Sequence, residues 1–178
     1  MDPILNEIEE VLEKLHIWMK PEPVATPMAH GLGCSQILRE PLGVCLILTA
    51  WNFPFWELFY PMITVFAAGN NALIKPSEMA PYSSKLIKEL MAKYFKPSEV
   101  GVVEGAVEVA KAITSAKVDC MIFTGSPQKG RLVAAAAAKN LVPCILELGG
   151  KCPTIIDESA DVDLAARKIA STKFFNCG

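Results

Sequence analysis

Residues 43–75 read GVCLILTAWNFPFWELFYPMITVFAAGNNALIK, and this stretch decides the fold class. Its first apolar run, residues 44–49, has the length of a buried strand, and the apolar segment 59–68 has the length of a helix. A second short strand is predicted at 72–75. A strand, a helix and a strand in this order, with both strands apolar throughout, are typical of a parallel sheet covered on both faces.

The same alternation continues on either side of this stretch. Helices are predicted at 4–19, 81–95, 107–115, 129–139 and 161–173, and further strands at 100–103, 120–123, 144–146 and 154–156. Residues 21–33, PEPVATPMAHGLG, contain three prolines and two glycines and predict an extended connector. The pattern therefore predicts an α/β fold, a Rossmann-like parallel sheet with helices on both faces.

The apolar stretch has to be weighed as a membrane span. Between Glu40 and Lys75 the only charged residue is Glu57. However, Asn52 and Pro54 interrupt the stretch, and no clean apolar run of about 18 residues remains. We therefore expect no membrane segment, and instead a buried strand, helix and strand.

Composition excludes several other classes of function. The 178 residues carry a net charge of −2 and no basic run, so the charge that nucleic acid requires is missing. Six cysteines form no CxxC pair and only two histidines are present, so we expect no metal site. Cysteines inside apolar runs, and an acidic N-terminus without the features of a signal peptide, favour a reduced, cytoplasmic setting.

A glycine-bounded turn, TGSPQKG at 124–130, follows the predicted strand 120–123. Backbone N–H groups and the positive end of the following helix dipole suit a phosphate group. The dinucleotide motif GxGxxG is not matched, because the glycines are spaced GxxxxG. The P-loop motif is not matched either, because Arg131 and Leu132 follow Gly130. The turn is a candidate phosphate site or an ordinary strand-to-helix connection.

Three other predicted strands end in polar side chains. Lys75 and Glu78 stand three residues apart and either reach the hydroxyls of a ribose or form a solvated turn. Asn52, among aromatic residues, is either satisfied by the backbone or free to bind a ligand oxygen. Glu147, beside a double glycine, is a candidate general base or the partner of Lys151 in an ion pair.

Five motifs stand in the order and spacing of the aldehyde dehydrogenase superfamily: AWNFP at 50–54, IKPSE at 74–78, FTGSPQKG at 123–130, LELGGKCP at 146–153 and FFNCG at 174–178. The chain resembles this family from about residue 7 to its end, and is most similar to the class 3 and fatty-aldehyde branch. The resemblance implies an amino-terminal helix and connector over 1–39, an NAD-binding domain over 40–146, and the truncated start of an incomplete catalytic domain over 147–178.

The resemblance also implies an activity, the oxidation of an aldehyde to a carboxylic acid through a covalent thiohemiacetal on a cysteine. Asn52 resembles the side-chain donor of the family's oxyanion hole. Glu147 resembles the general base that activates the deacylating water. The implied substrate is a small-molecule aldehyde, and the intact protein is expected to be a homo-oligomer.

The cofactor implied by the resemblance is NAD. Lys75 and Glu78 resemble the pair that binds the adenosine ribose. The turn that contains Gly125, Ser126 and Gly130 resembles the pyrophosphate site. A carboxylate at position 78 would accept from both ribose hydroxyls and repel a 2′-phosphate. NAD is therefore expected rather than NADP, although some family members with this glutamate accept both.

The nucleophile of the family is expected outside this sequence. In the family it falls five positions after the asparagine of the FFN motif, which from Asn176 projects beyond Gly178. Cys177 does not stand at that position and is not predicted to be the nucleophile. We expect the 178-residue chain alone to be inactive, as a fragment, a truncated product or a mis-predicted gene. The alternatives are a non-catalytic cofactor-binding module and an interaction domain.

Overall fold

A computed structural model describes residues 2–177, without the side chains of Asp2 and Cys177. Gly178, the last residue of the FFNCG motif, lies outside the described residues, as does the Cys177 side chain. The chain forms two compact units, of which the first ends at Leu148 and the second begins at Gly149. The predicted domain division at 40–146 and 147–178 remains a prediction.

The elements follow one another as the alternation predicts, except for an additional hairpin near the start and the absence of a strand at 154–156. Helices are α1 (Asp2–Trp18), α2 (Trp56–Ala67), α3 (Pro81–Tyr94), α4 (Val107–Thr114), α5 (Pro127–Lys139) and α6 (Val162–Lys173); strands are β1 (Glu22–Val24), β2 (Ser35–Ile37), β3 (Val44–Leu48), β4 (Asn71–Lys75), β5 (Val100–Val102), β6 (Cys120–Gly125) and β7 (Cys144–Leu148). Short 3-10 turns occupy Met28–His30 and Phe175–Cys177.

The five later strands form one parallel sheet in the order β5-β4-β3-β6-β7, which confirms the predicted α/β fold. The chain runs from β3 outward to β5 and then returns to the other side of β3 to form β6 and β7. This reversal creates a switch point between β3 and β6, where ligands bind in open α/β sheets.

Two hydrophobic clusters cover the two faces of this sheet. On one face α2 and α3 bury Leu58, Met62 and Ile87 against Cys45 and Ile47 of β3. On the other face α4 and α5 pack on the alternate residues of the same strand, through a cluster that includes Leu46, Leu48, Phe123, Val133 and Ala137. Because β3 is buried on both faces, it reads as an unbroken apolar run rather than an alternating one.

Two segments differ from the sequence prediction. β1, within the predicted connector 21–33, pairs with β2, just after it, in an antiparallel hairpin, and an Arg39–Glu22 ion pair of 2.6 Å joins the same segments. The strand predicted at 154–156 was wrong, because this segment forms no strand and Ile155 is 96% exposed. A strand needs a neighbour to satisfy its backbone groups, and the structure pairs none of the described strands with this segment.

Among residues 2–177, no helix has the length and apolar character needed to cross a bilayer.

Side chains from two loops hold the start of β3. The amide of Gly43 donates to Asn70 Oδ1 over 2.9 Å, and the amide of Val44 donates to Asp119 Oδ2 over 2.8 Å. Gly43 has a φ of 129°, and a Cβ at this position would overlap the Asp119 carboxylate. Glycine is required here for both its conformation and the close approach of the carboxylate.

Gly43→Ala should therefore lower the free energy of unfolding by about 2.5–6 kcal/mol, the combined range for a strained backbone and a lost hydrogen bond to a charged group. Urea unfolding followed by circular dichroism measures this. Gly149→Ala is the matched control, because a Cβ there meets no atom within 4 Å, and its effect should stay within about 0.5 kcal/mol. Equal stability of the two variants would contradict the role assigned to Gly43.

Candidate cofactor and catalytic site

The carboxyl ends of four strands meet at one edge of the sheet. Leu48 at the end of β3 stands in register with Lys75 of β4 and with Phe123 of β6. On β7, Glu147 and Leu148 stand opposite Thr124 and Gly125 of β6. The sheet therefore brings every segment with a predicted site residue to the same edge.

Lys75 and Glu78 form an ion pair at this edge. The Lys75 amine donates to Glu78 Oε2 over 2.8 Å and to the Pro76 carbonyl over 3.0 Å. Only 6% of the Lys75 side chain is exposed, so the solvated-turn interpretation does not hold for this residue. A buried amine needs such partners to keep its charge.

Positive charges on two elements lower the pKa of the Glu78 carboxyl. The hydrogen bond from Lys75 is the main cause that lowers the pKa of Glu78, and burial opposes it. The charges of Lys75 and of Lys129 lower this pKa further. Lys129 belongs to the first turn of α5, so the 125–130 turn and the Lys75–Glu78 pair act on each other electrostatically.

The turn 125–130 forms the N-terminus of α5. Ser126 caps the helix, because its Oγ accepts from the Lys129 amide over 3.4 Å and its carbonyl accepts from the Gly130 amide over 2.9 Å. Pro127 has no N–H. Within the described residues the Gln128 N–H has no partner, so it is the first-turn donor left for a ligand oxygen.

Close packing also explains why the two ends of this turn are glycines. A Cβ at Gly130 would lie 2.6 Å from the Leu148 side chain, so the glycine lets α5 approach β7. A Cβ at Gly125 would lie 2.5 Å from the Phe123 ring. Both glycines are therefore required for packing, whether or not a ligand binds.

Asn52 lies in the loop between β3 and α2. It is half-buried, and its side chain makes no hydrogen bond in the part of the chain that the structure describes. Of the two interpretations of Asn52, satisfaction by the backbone is thus not observed. The amide is free to bind a ligand oxygen.

Glu57 shapes this loop and was not identified by the sequence motifs. Its carboxylate accepts from the Ala50 amide over 2.6 Å. Burial is the main cause that raises the pKa of Glu57, and the hydrogen bond from Ala50 opposes it. The one available signal was its isolation, as the only charged residue between Glu40 and Lys75.

Glu147 lies near the end of β7 and is exposed. Its neighbour Leu148 packs on Gly130 of α5, and successive side chains of a strand point to opposite faces. Glu147 therefore lies on the face that α2 and α3 cover elsewhere in the sheet. Within its own unit, the described residues offer it no hydrogen bond or ion pair, so its carboxylate is accessible to water.

No group of three or more histidine, cysteine, aspartate or glutamate residues among the described ones could hold a metal ion. Cys45 and Cys120 are buried side by side on β3 and β6. Burial raises the pKa of the Cys45 thiol to about 11, with the neighbouring Cys120 as a smaller cause. Cys45 therefore stays protonated at neutral pH and is not a nucleophile.

The Lys75–Glu78 pair generates a pH prediction. Since the pKa of Glu78 is lowered in the folded state, the pair stabilises the fold above the unfolded pKa of about 4.3, and this contribution is lost as the pH falls through the lowered value. Glu78→Gln should lower the free energy of unfolding at pH 7 by about 1 kcal/mol, because the carboxylate is one-third exposed. The difference from wild type should shrink below about pH 4.

Urea unfolding between pH 3 and pH 8, in steps of about one unit chosen to bracket the carboxyl range, measures this difference. Glu104→Gln is the matched control, because Glu104 has the same 2.8 Å distance to Lys88 but that lysine is 54% exposed. A difference between wild type and Glu78→Gln that grows as the pH falls would contradict the assigned pairing.

Comparison with known proteins shows the family of this chain. The model of the aldehyde dehydrogenase family matches residues 6–178. An aldehyde dehydrogenase of Craterostigma plantagineum is 45% identical over 171 residues, which cover 96% of this chain and 36% of that protein. The chain thus spans about a third of the length of the relatives it matches.

Solved structures agree with the sequence match. The substrate-bound state of AldH from Staphylococcus aureus superposes with a TM-score of 0.93 at 39% identity, over 98% of this chain and 38% of that one. A mutant of aldehyde dehydrogenase C from Pseudomonas syringae, solved with NAD+ and octanal, has a TM-score of 0.81 at 30% identity, over 98% and 35% of the two chains. With the family model matching nearly the whole sequence, this chain belongs to the aldehyde dehydrogenase family.

Proposed function

We propose that this chain forms the cofactor-binding part of an NAD-dependent aldehyde dehydrogenase, with Asn52 as an oxyanion donor and Glu147 as the general base. The observation that carries the proposal is the buried Lys75 amine, held by Glu78 at the carboxyl end of β4 and close to the start of α5. The NAD+ and octanal in the Pseudomonas syringae structure are consistent with it.

The residues present fit the ribose of a nicotinamide dinucleotide. Lys75 has three donor hydrogens and uses two of them within the protein. Glu78 accepts from Lys75 through Oε2, which leaves Oε1 for another donor. The pair therefore offers one donor and a carboxylate acceptor, which vicinal hydroxyls can satisfy.

The same carboxylate bears on the choice between NAD and NADP. A negative charge at position 78 disfavours a 2′-phosphate on the adenosine ribose. The positive Lys129 nearby reduces this effect without removing it. NAD is therefore the proposed cofactor, and NADP the weaker one.

The start of α5 suits the pyrophosphate. The free Gln128 N–H and the positive end of the helix dipole would bind a phosphate oxygen beside Gly125, Ser126 and Gly130. The charge of Lys129 adds to this attraction. These are the residues that we propose to hold the cofactor.

Asn52 and Glu147 would supply the chemistry of this part of the protein. A nicotinamide cofactor, held by Lys75, Glu78 and the 125–130 turn, would supply hydride-acceptor chemistry. The Asn52 amide donates a hydrogen bond to the aldehyde oxygen, which becomes negative when a cysteine thiolate attacks. Glu147 takes the proton of the water that releases the carboxylic acid. The proposed cysteine lies five positions after Asn176 in a longer protein.

For the whole protein we propose a small-molecule aldehyde as substrate, a homo-oligomer and a cytoplasmic location. The homo-oligomer is supported by the apolar side chains that stay exposed. Ile145 on the edge strand β7 is 54% exposed, and Leu132 and Leu141 are exposed as well. Exposed apolar side chains of this kind are available for contact with another protein.

Titration calorimetry of the chain with NAD tests the cofactor site. Glu78→Gln should weaken NAD binding by about 1–3 kcal/mol, the range for a lost hydrogen bond to a charged group. The same variant should narrow any preference for NAD over NADP, because the charge that repels the 2′-phosphate is gone.

Glu99→Gln serves as the control here and should bind NAD as wild type does, since it removes a carboxylate at the amino end of β5, on the opposite edge of the sheet. The assignment of the site is wrong if wild type and Glu78→Gln bind NAD with equal affinity. It is also wrong if a wild-type chain whose fold is verified by circular dichroism does not bind NAD.

A further inference from the structure

The loop between β3 and α2 is held at two points by a single residue. Glu57 accepts a hydrogen bond from the Ala50 amide through its carboxylate, over 2.6 Å. Its own backbone amide donates to the Phe53 carbonyl over 2.9 Å. Asn52 lies between these two attachment points, so Glu57 brackets the residue that carries the free side-chain amide.

The remaining contacts of the loop favour the same geometry. The Thr49 amide donates to the Lys75 carbonyl over 3.3 Å, which joins the start of the loop to the cofactor edge of β4. Along this loop, the carboxylate of Glu57 is a side-chain acceptor for the Ala50 amide. A side chain in the helix therefore fixes the path of the loop after it leaves the sheet.

The charge of Glu57 is compatible with this position. The residue stands in the first turn of α2, where the helix dipole stabilises a negative charge. Burial opposes the charge and is the main cause that raises the pKa of this carboxyl. Apart from the Ala50 amide, no described group, charged or titratable, contributes to its titration. The Glu57 carboxylate therefore accepts a hydrogen bond but pairs with no charged group among the described residues.

We infer that Glu57 is a positioning residue, which holds the loop so that the Asn52 amide faces the edge of the sheet where the substrate oxygen would lie. It acts through the loop and does not contact the substrate itself. The inference rests on the proposed function, because the value of a fixed Asn52 lies in the oxyanion that this amide would bind.

Nuclear magnetic resonance on the ¹⁵N-labelled chain tests this inference without cofactor or aldehyde. Three proteins are compared: wild type, Glu57→Gln, which keeps an acceptor oxygen but no charge, and Glu57→Leu, which removes the acceptor. Glu104→Gln is the control for loss of a carboxylate elsewhere. The readouts are hydrogen exchange at the Ala50 amide and the side-chain amide resonances of Asn52 as a function of pH.

In wild type, the Ala50 amide and the Asn52 side-chain resonances should titrate together, with a midpoint above the ordinary glutamate range. Glu57→Gln should abolish that titration while Ala50 exchange stays slow, which is rescue by the conservative variant. In Glu57→Leu, the Ala50 amide hydrogen should exchange about tenfold faster, as expected for a lost hydrogen bond. The Asn52 side-chain resonances should shift in this variant. Glu104→Gln should match wild type.

Asn52 resonances that are unchanged in both Glu57 variants, or that do not titrate with Ala50 in wild type, would overturn the inference. If Glu57→Leu fails to fold, the comparison of wild type with Glu57→Gln decides alone. Failure here is distinct from failure of the proposed function, because NAD binding depends on Lys75 and Glu78 and is measured separately.

Discussion

The pairing of β3 on both of its edges is the constraint on which the rest of this structure depends. β4 and β6 are both in register with it, so the ends of these strands are aligned at Leu48, Lys75 and Phe123. The start of β3 is fixed by two side-chain acceptors, Asn70 for the Gly43 amide and Asp119 for the Val44 amide. A slip of one residue would turn every buried side chain of β3 to the wrong face, because successive side chains alternate.

This alignment divides the candidate site between the two faces of the sheet. Lys75 pairs in register with Leu48, which belongs to the hydrophobic cluster under α4 and α5. The charge of Lys129 on α5 helps to lower the pKa of Glu78. On the other side, the loop to α2 carries Asn52. The proposed sites for a charged dinucleotide and for a carbonyl group therefore consist of neighbouring but separate groups at the carboxyl edge.

Most of the fold could be predicted from the sequence, because long apolar runs and helical periods are local signals. The hairpin of β1 and β2 could not, since two strands of three residues are stabilised mainly by each other. The apolar segment 154–156 looked like a strand, but a strand also requires a partner that the sequence does not show. In the site, motifs indicated Asn52 and Glu147, whereas the contact of Glu57 with Ala50 depends on the path of a loop, which no local pattern predicts.

The central claim is that the carboxyl edge of the sheet binds the cofactor. Titration of the ¹⁵N-labelled chain with NAD, followed by two-dimensional nuclear magnetic resonance, tests it most directly, because each backbone amide reports its own surroundings. The account predicts that the largest shifts occur at residues 75–78 and 125–130, while Gly43, Asn70 and Asp119 at the amino edge stay unchanged. Largest shifts at those amino-edge residues, from a chain that is demonstrably folded, would contradict it.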